Sequence, residues 1–179
     1  YYRCNQKHVE HVVNLSVQLF KQLRVLHKFP RQYLKILKVA ATLHDSGETV
    51  KYYDYHKHSA YIILNSHLYG ITHREIVLAS VVCIAYKSDD FNMSDWAKYK
   101  EYITEDDLEA IRKLGIMLHI AESLDRSMSG CVSGLNCDVL GDSVIMKTEV
   151  DGDASLEIKD ALNTSADFKR IFKKNLEIL

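Results

Sequence analysis

Between residues 76 and 85 the chain reads Ile-Val-Leu-Ala-Ser-Val-Val-Cys-Ile-Ala, apolar on nearly every side of a helix. A helix without a polar face has to be surrounded, so other helices must pack around this one. Its start is marked by Thr72-His73-Arg74-Glu75. That is a capping box, in which threonine and glutamate side chains each accept from a first-turn amide that lacks a helical partner.

The surrounding helices are legible from one-sided stripes. From about Gln6 to His27, the residues His8, Val12, Leu15, Leu19, Leu23 and Leu26 recur at helical spacing. A second stripe of His11, Asn14, Gln18 and Gln22 is polar and reads as the solvent face. Pro30 suits the first position of a second helix, which carries Leu34, Leu37, Ala41 and His44 on one side and ends near Asp45 to Gly47. A third helix is predicted from His56 to His67, with Gly70 as its C-cap. Ser88 to Met93 is a polar break, and Trp96 and Tyr99 belong to a short helix or loop over the core. Thr104 with Asp107 is a weaker cap opening a long helix to about Arg126, whose stripe is Ile111, Leu114, Leu118, Ala121 and Asp125.

Beyond Gly130 the periodicity changes. Val139 to Val150 alternates apolar with polar as a strand does, Leu156 and Ile158 suggest a second strand, and Asp151-Gly152-Asp153 reads as the hairpin turn between them. Phe168, Ile171 and Phe172 mark a last short helix. The expected fold class is mainly α, a helical bundle over residues 1–133 followed by a small α+β domain over residues 134–179.

Charge and cysteine usage bound the function. A net charge of −1 gives no global field that would attract DNA or an anionic membrane, so any anion site must be local. No apolar run approaches the roughly 18 residues that span a bilayer. Cys4, Cys83, Cys131 and Cys137 form no C-x-x-C pair and suggest no disulfide framework, which fits a reduced, cytoplasmic protein. Tyr1 rather than methionine opens the chain, as expected of a piece of a longer one.

Three apolar stripes end in a side chain able to bind a metal: His8, His44 followed by Asp45, and Asp125. Two imidazoles and two carboxylates suit a divalent ion such as Mn, Fe, Co, Ni or Zn, and Mg less well. Burying these groups without a partner costs several kcal/mol per unpaired charge. Each alone is more often a hydrogen-bonded core or cap residue; the ordered set is what points to a metal. His56 and His58, on either side of Lys57, are candidates to ligate a second ion or to contact phosphate, with an exposed helix start as the alternative; phosphate contact or no role is favoured. Arg126 is a further phosphate candidate, with a surface ion pair as its ordinary alternative. Lys169, Arg170, Lys173 and Lys174 read as a solvated helix face or a short anion-binding strip.

Taken in order, His8, His44-Asp45 and Asp125 resemble the HD superfamily of metal-dependent phosphohydrolases. The phrases Leu43-His44-Asp45-Ser46-Gly47, His56-Lys57-His58-Ser59-Ala60-Tyr61, Asn65-Ser66, Leu68-Tyr69-Gly70 and Ala121-Glu122-Ser123-Leu124-Asp125-Arg126-Ser127 resemble one branch more closely. That branch is the helical C-terminal domain of the exopolyphosphatase / guanosine pentaphosphate phosphatase (Ppx/GppA) family. The likeness covers most of residues 4–130 and implies an HD-like bundle. It also implies a parent enzyme that releases phosphate from inorganic polyphosphate or guanosine pentaphosphate. The family's N-terminal half is an actin-like catalytic fold that this sequence does not resemble, and its C-terminal region helps hold polyphosphate and supports a homodimer. One departure is local: where many members carry an Arg-Tyr-His-Arg-like run, this chain has Ile84-Ala85-Tyr86-Lys87.

The leading expectation is therefore the C-terminal module of an exopolyphosphatase-type protein. In it His8, His44, Asp45 and Asp125 would hold one divalent metal, and Lys57, His58 and Arg126 would be the weaker phosphate contacts. A stand-alone metal-dependent HD phosphohydrolase acting on a nucleotide such as (p)ppGpp is the second expectation, and a non-catalytic phosphate-binding or dimerisation module the third.

Overall fold

The computed structural model describes residues 5–87 and 92–179. Cys4 and most of the polar break at Ser88 to Met93 lie outside the described residues. The first helix, α1 (Gln6–Gln22), starts where Asn5 accepts the His8 amide, and buries His8, Val12, Leu15 and Leu19. It is interrupted at Leu23, so the one long helix expected to His27 is α1 followed by the single turn α2 (Arg24–His27). Lys28 then adopts a left-handed conformation that turns the chain back. Helix α3 (Gln32–Leu43) returns antiparallel, its Tyr33 amide donating to the Pro30 carbonyl, so Pro30 stands just ahead of the helix rather than at its first position.

After α3 come His44, Asp45 and a 3-10 turn over Ser46–Thr49, then α4 (Tyr55–Leu64). This helix ends at Asn65, several residues before Gly70, so Gly70 is not its C-cap. Gly70 instead takes the left-handed position of the following turn, with φ +74°. The apolar segment forms α5 (His73–Ala85) with both hydrogen bonds of its capping box, and it packs against α3, α4 and α6 as the central helix. A short 3-10 helix (Met93–Tyr99) precedes α6 (Glu105–Ser123), which opens on the Thr104–Asp107 capping box.

Asp107 is fully buried. Besides the cap, it receives Arg74 on both carboxylate oxygens at 2.7 Å and the Tyr33 hydroxyl at 2.7 Å. A residue read as a weak cap is thus the knot that ties α3, α5 and α6.

The C-terminal part is a three-stranded sheet with two helices. Strand β1 (Val132–Val139) pairs antiparallel with β2 (Ser143–Val150), Cys137 opposite Met146. The hairpin turn therefore lies at residues 140–142, not at Asp151-Gly152-Asp153. The latter leads instead into α7 (Ser155–Leu162), which contains Leu156 and Ile158. Two apolar residues at a spacing of two fit a strand, but the Asp153 carboxylate takes the Ser155 amide and hydroxyl and starts a helix there. Helix α8 (Ser165–Phe172) matches the expected last helix. A short β3 (Asn175–Ile178), not anticipated, adds parallel to β2 with Val144 opposite Leu176. The fold is mainly helical with a small sheet, and one buried apolar cluster runs through both parts.

Asn14 of the polar α1 stripe is exposed as expected, but Gln18 and Gln22 turn to the sheet. Gln18 accepts the Leu135 amide and Gln22 accepts the Cys137 amide, so both glutamines bind the outer edge of β1. His11 is only half-exposed, and its Nε2 is buried without a hydrogen-bond partner in the protein.

Candidate functional site

The start of α1, the end of α3 and the end of α6 meet at one cleft of about 530 Å³. Its walls include His8, His44, Asp45, Glu122 and Arg126, with the segment Tyr52 to His56 across from them. The helix ends meet there because each apolar stripe carries its polar last member to the same side of the core. The local fold is held by Gly47. Its amide donates to the Ser59 hydroxyl at 2.7 Å, and the backbone of α4 lies so close that a Cβ on Gly47 would stand 2.1 Å from the Tyr55 carbonyl oxygen. The glycine that reads as a helix breaker thus serves to let α4 approach.

His8 and Asp125 meet directly, Nδ1 to Oδ2 at 2.7 Å, both buried. The second Asp125 oxygen accepts the Gly130 amide at 2.9 Å. Burial would lower the His8 pKa, but the Asp125 hydrogen bond and charge outweigh it and raise it. Asp125 therefore fixes the His8 ring and leaves Nε2 as its other functional nitrogen. His44 Nδ1 donates to the Ala41 carbonyl at 2.7 Å, which fixes the neutral tautomer with Nε2 as acceptor. Burial is also the main reason His44 titrates below the usual histidine range. The His8 and His44 rings lie 5.7 Å apart.

Three buried polar atoms lining the cleft have no hydrogen-bond partner in the protein: His44 Nε2, Asp45 Oδ1 and His56 Nε2. Leaving such atoms buried and unpaired costs about 1–3 kcal/mol each, so their gathering in one cleft asks for a ligand. Each is an acceptor, or an acceptor in its neutral form, as a cation needs. Among the described residues, however, no group of three or more His, Cys, Asp or Glu is already gathered at ligand spacing. The donor chemistry fits a cation; the donor set is not closed around one.

Sequence reasoning missed Lys87 and Glu122. Glu122 lies one helical turn before Asp125, which was the available signal. Lys87 Nζ sits 2.5 Å from Glu122 Oε2, and the Tyr55 hydroxyl donates to Oε1 at 3.1 Å. Tyr86 in turn donates to Tyr55. Burial would raise the Glu122 pKa, but the Lys87 charge and hydrogen bond hold it below the ordinary value. Replacing Lys87 with methionine is therefore expected to lift Glu122 above the ordinary carboxylate range and to cost about 2 kcal/mol. A carboxyl-detected NMR titration and a urea melt measure the two effects.

The cleft carries an excess of negative charge, with Asp45, Glu48, Asp54 and Glu122 against Lys87 and Arg126. Burial, helped by Asp45 and Glu122, raises the Glu48 pKa accordingly. Of the weaker phosphate candidates, the structure brings only Arg126 to the cleft. Lys57 pairs with Asp54 at 3.4 Å and borders a separate apolar pocket with Trp96 and Tyr99. His58 does not line the cleft, and its Cβ packs toward Gly47. In the α8 segment Arg170 pairs with Asp167, and Lys174 binds the Leu140 and Gly141 carbonyls.

The chain is 31% identical over 98 residues to a guanosine-5'-triphosphate,3'-diphosphate pyrophosphatase of Aeromonas hydrophila, a match covering 54% of this chain and 20% of that protein. The same-named protein of Pseudoalteromonas translucida is 31% identical over 91 residues, covering 49% of this chain and 18% of that protein. The matched stretch spans about a fifth of the length of these curated relatives. The cleft, its His44-Asp45 pair and the capped helices framing it all fall within residues 1–165, which match Ppx/GppA phosphatase, domain III, and the chain belongs to that family.

Proposed function

We propose that this chain is the module of a Ppx/GppA-type phosphatase that holds a divalent cation and, with it, the phosphoanhydride of inorganic polyphosphate or a phosphorylated guanosine nucleotide. The carrying observation is the set of unpaired buried acceptors, His44 Nε2 and Asp45 Oδ1 foremost, in a cleft with surplus carboxylates. Such a cleft repels a polyphosphate on its own. A divalent cation reverses that sign and makes phosphate binding favourable.

His44 and Asp45 would hold the cation, with His8 presented to it by Asp125. When bound, it lowers the pKa of a coordinated water and polarises a phosphoryl oxygen. The protein's own groups do the rest. Asp125 fixes the His8 ring, Lys87 keeps Glu122 ionised, and Arg126 offers a guanidinium to a phosphate oxygen. The residue pattern resembles that of an HD-type site, and polyphosphate and nucleotide hydrolysis by the parent are the activities it would serve.

The cleft rim favours the nucleotide among these ligands. Tyr52 and Tyr53 are 68% and 76% exposed there and offer flat faces that a nucleobase can stack on and a linear polyphosphate cannot use. A stand-alone phosphohydrolase acting on such a nucleotide is the second reading, and the rim is the observation that favours it.

Mn2+ or Zn2+ titrated into the purified chain, followed by elemental analysis after gel filtration, is expected to give up to one ion per chain. His44→Ala and Asp45→Asn should each abolish uptake, Asp125→Ala should weaken it, and His11→Ala should leave it intact. Unchanged uptake in His44→Ala, or none in the wild type at millimolar metal, rejects the site. Metal-dependent release of phosphate or pyrophosphate by the chain alone would select the stand-alone reading.

A further inference from the structure

The elbow between α1 and α3 holds a second pocket, of about 330 Å³, lined by Phe20, Lys21, Arg24, Phe29, Arg31 and Leu34. It is at the far end of the helix pair from the cleft: Lys21 lies about 20 Å of helix rise beyond His8. Its floor is built rather than incidental. His27, 5% exposed, has its ring 4.3 Å from that of Phe20 and 4.9 Å from that of Phe29, and Tyr33 continues the row 5.1 Å from Phe29. His27 Nε2–H donates to the Phe20 carbonyl and Nδ1 accepts the Phe29 amide, so both ring nitrogens are committed to holding this stack.

The charge here is one-sided. No carboxylate lines the pocket, and Lys21, Arg24 and Arg31, all exposed, have no ion pair among the described residues. Elsewhere Lys35, Lys147 and Arg74 are matched to Glu75, Asp138 and Asp107. Three unmatched cations around an aromatic floor form a local positive site in a chain of net charge −1. Burial lowers the His27 pKa first, and the Lys113 and Arg24 charges lower it further.

We propose that this elbow pocket binds a nucleoside phosphate, its base against the Phe20–Phe29 floor and its phosphates between Lys21, Arg24 and Arg31. Phe20 is 5% exposed and Lys113 already lies over the Phe29 ring, so the floor offers an apolar surface for a flat base rather than an open ring face, and the cations call for several negative charges at one end of it. The volume lies at the lower end of the roughly 300–1,000 Å³ typical of small-molecule sites, which suits a single nucleotide. An effector bound here would sit on the helix pair that carries His8 and His44 at its other end.

The test is calorimetric titration of the full chain with GTP, guanosine and inorganic tripolyphosphate, with EDTA present so that no cation draws nucleotide to the cleft. GTP is expected to bind, with guanosine and tripolyphosphate each at least tenfold weaker. Arg24→Ala combined with Arg31→Ala, both exposed positions, should weaken GTP at least tenfold, and His44→Ala should leave it within twofold. The ring resonances of Phe20 and Phe29 should shift on titration. Tripolyphosphate binding as tightly as GTP, GTP affinity unchanged in the double variant, loss of binding in His44→Ala, or no binding at millimolar GTP would each overturn the site.

Discussion

Replacing Gly47 with alanine is expected to destabilise the chain by at least about 3 kcal/mol, at the upper end of overpacking costs. The new Cβ would lie 2.1 Å from the Tyr55 carbonyl oxygen, 2.4 Å from the Ser59 amide and 2.7 Å from the His58 Cβ. Two of those neighbours are backbone, so no side chain can rotate away; α4 itself must move. That movement breaks the Gly47–Ser59 hydrogen bond and carries Tyr55 and His56 away from the cleft. For a chain of this size the thermal midpoint should fall by roughly 6–12 °C, and cation uptake should fall with it. Gly141→Ala is the control. Nothing lies within 4 Å of a Cβ there, and the melt should be nearly unchanged.

The second large effect is expected at Asp107. Asp107→Ala removes the acceptor of the Thr104 amide from the α6 capping box and strands the Tyr33 hydroxyl and the Arg74 guanidinium. Removing one partner of a buried ion pair typically costs about 3–5 kcal/mol. Arg74 is 36% exposed and can regain water, so about 3 kcal/mol is expected here. The pH dependence carries a sign. Burial would raise the Asp107 pKa, but the Thr104 amide, the Tyr33 and Thr104 hydroxyls and the Arg74 charge together lower it. A carboxylate with a depressed folded pKa contributes stability above its unfolded value, near 4, and loses it as pH falls through the folded value. The difference between wild type and Asp107→Asn in urea melts should therefore be full at pH 6 and shrink below pH 4. A difference that grows on acidification would contradict the assignment.

The helical part was legible because its signals are local. Thr72 and Thr104 announce α5 and α6 through caps within four residues, and the stripes of α1, α3 and α6 identify the faces that are buried. The same stripes located His8, His44, Asp45 and Asp125 at one place, since a helix carries its polar end member wherever its apolar face goes. What the stripes leave open is which atom each of these residues uses. Asp125 spends both oxygens, on His8 and on Gly130, and only the folded structure reveals that.

Other features depend on partners distant in sequence. Gln18 and Gln22 read as solvated because nothing in α1 says that residues 135 and 137 will lie beside them. Leu156 and Ile158 fit strand and helix equally well, and Asp153 decides between them through a bond to Ser155. The four residues of β3 are too few for an alternation to stand out. Lys87 gains its importance only by reaching Glu122, 35 positions away.

The bond between α1 and the outer strand has a consequence for how the molecule behaves among its own copies. An exposed strand edge is a row of unused amides and carbonyls that invites another strand, the route by which sheets extend from chain to chain. Here Gln18 and Gln22 occupy the outward amides of Leu135 and Cys137, and Gln22 also donates to the Asn136 side chain. A helix presents side chains at these points instead of a backbone ladder, so the edge is satisfied without offering a continuation. Two glutamines on α1 thus guard the β1 edge, at Leu135 and Cys137, against pairing with another strand.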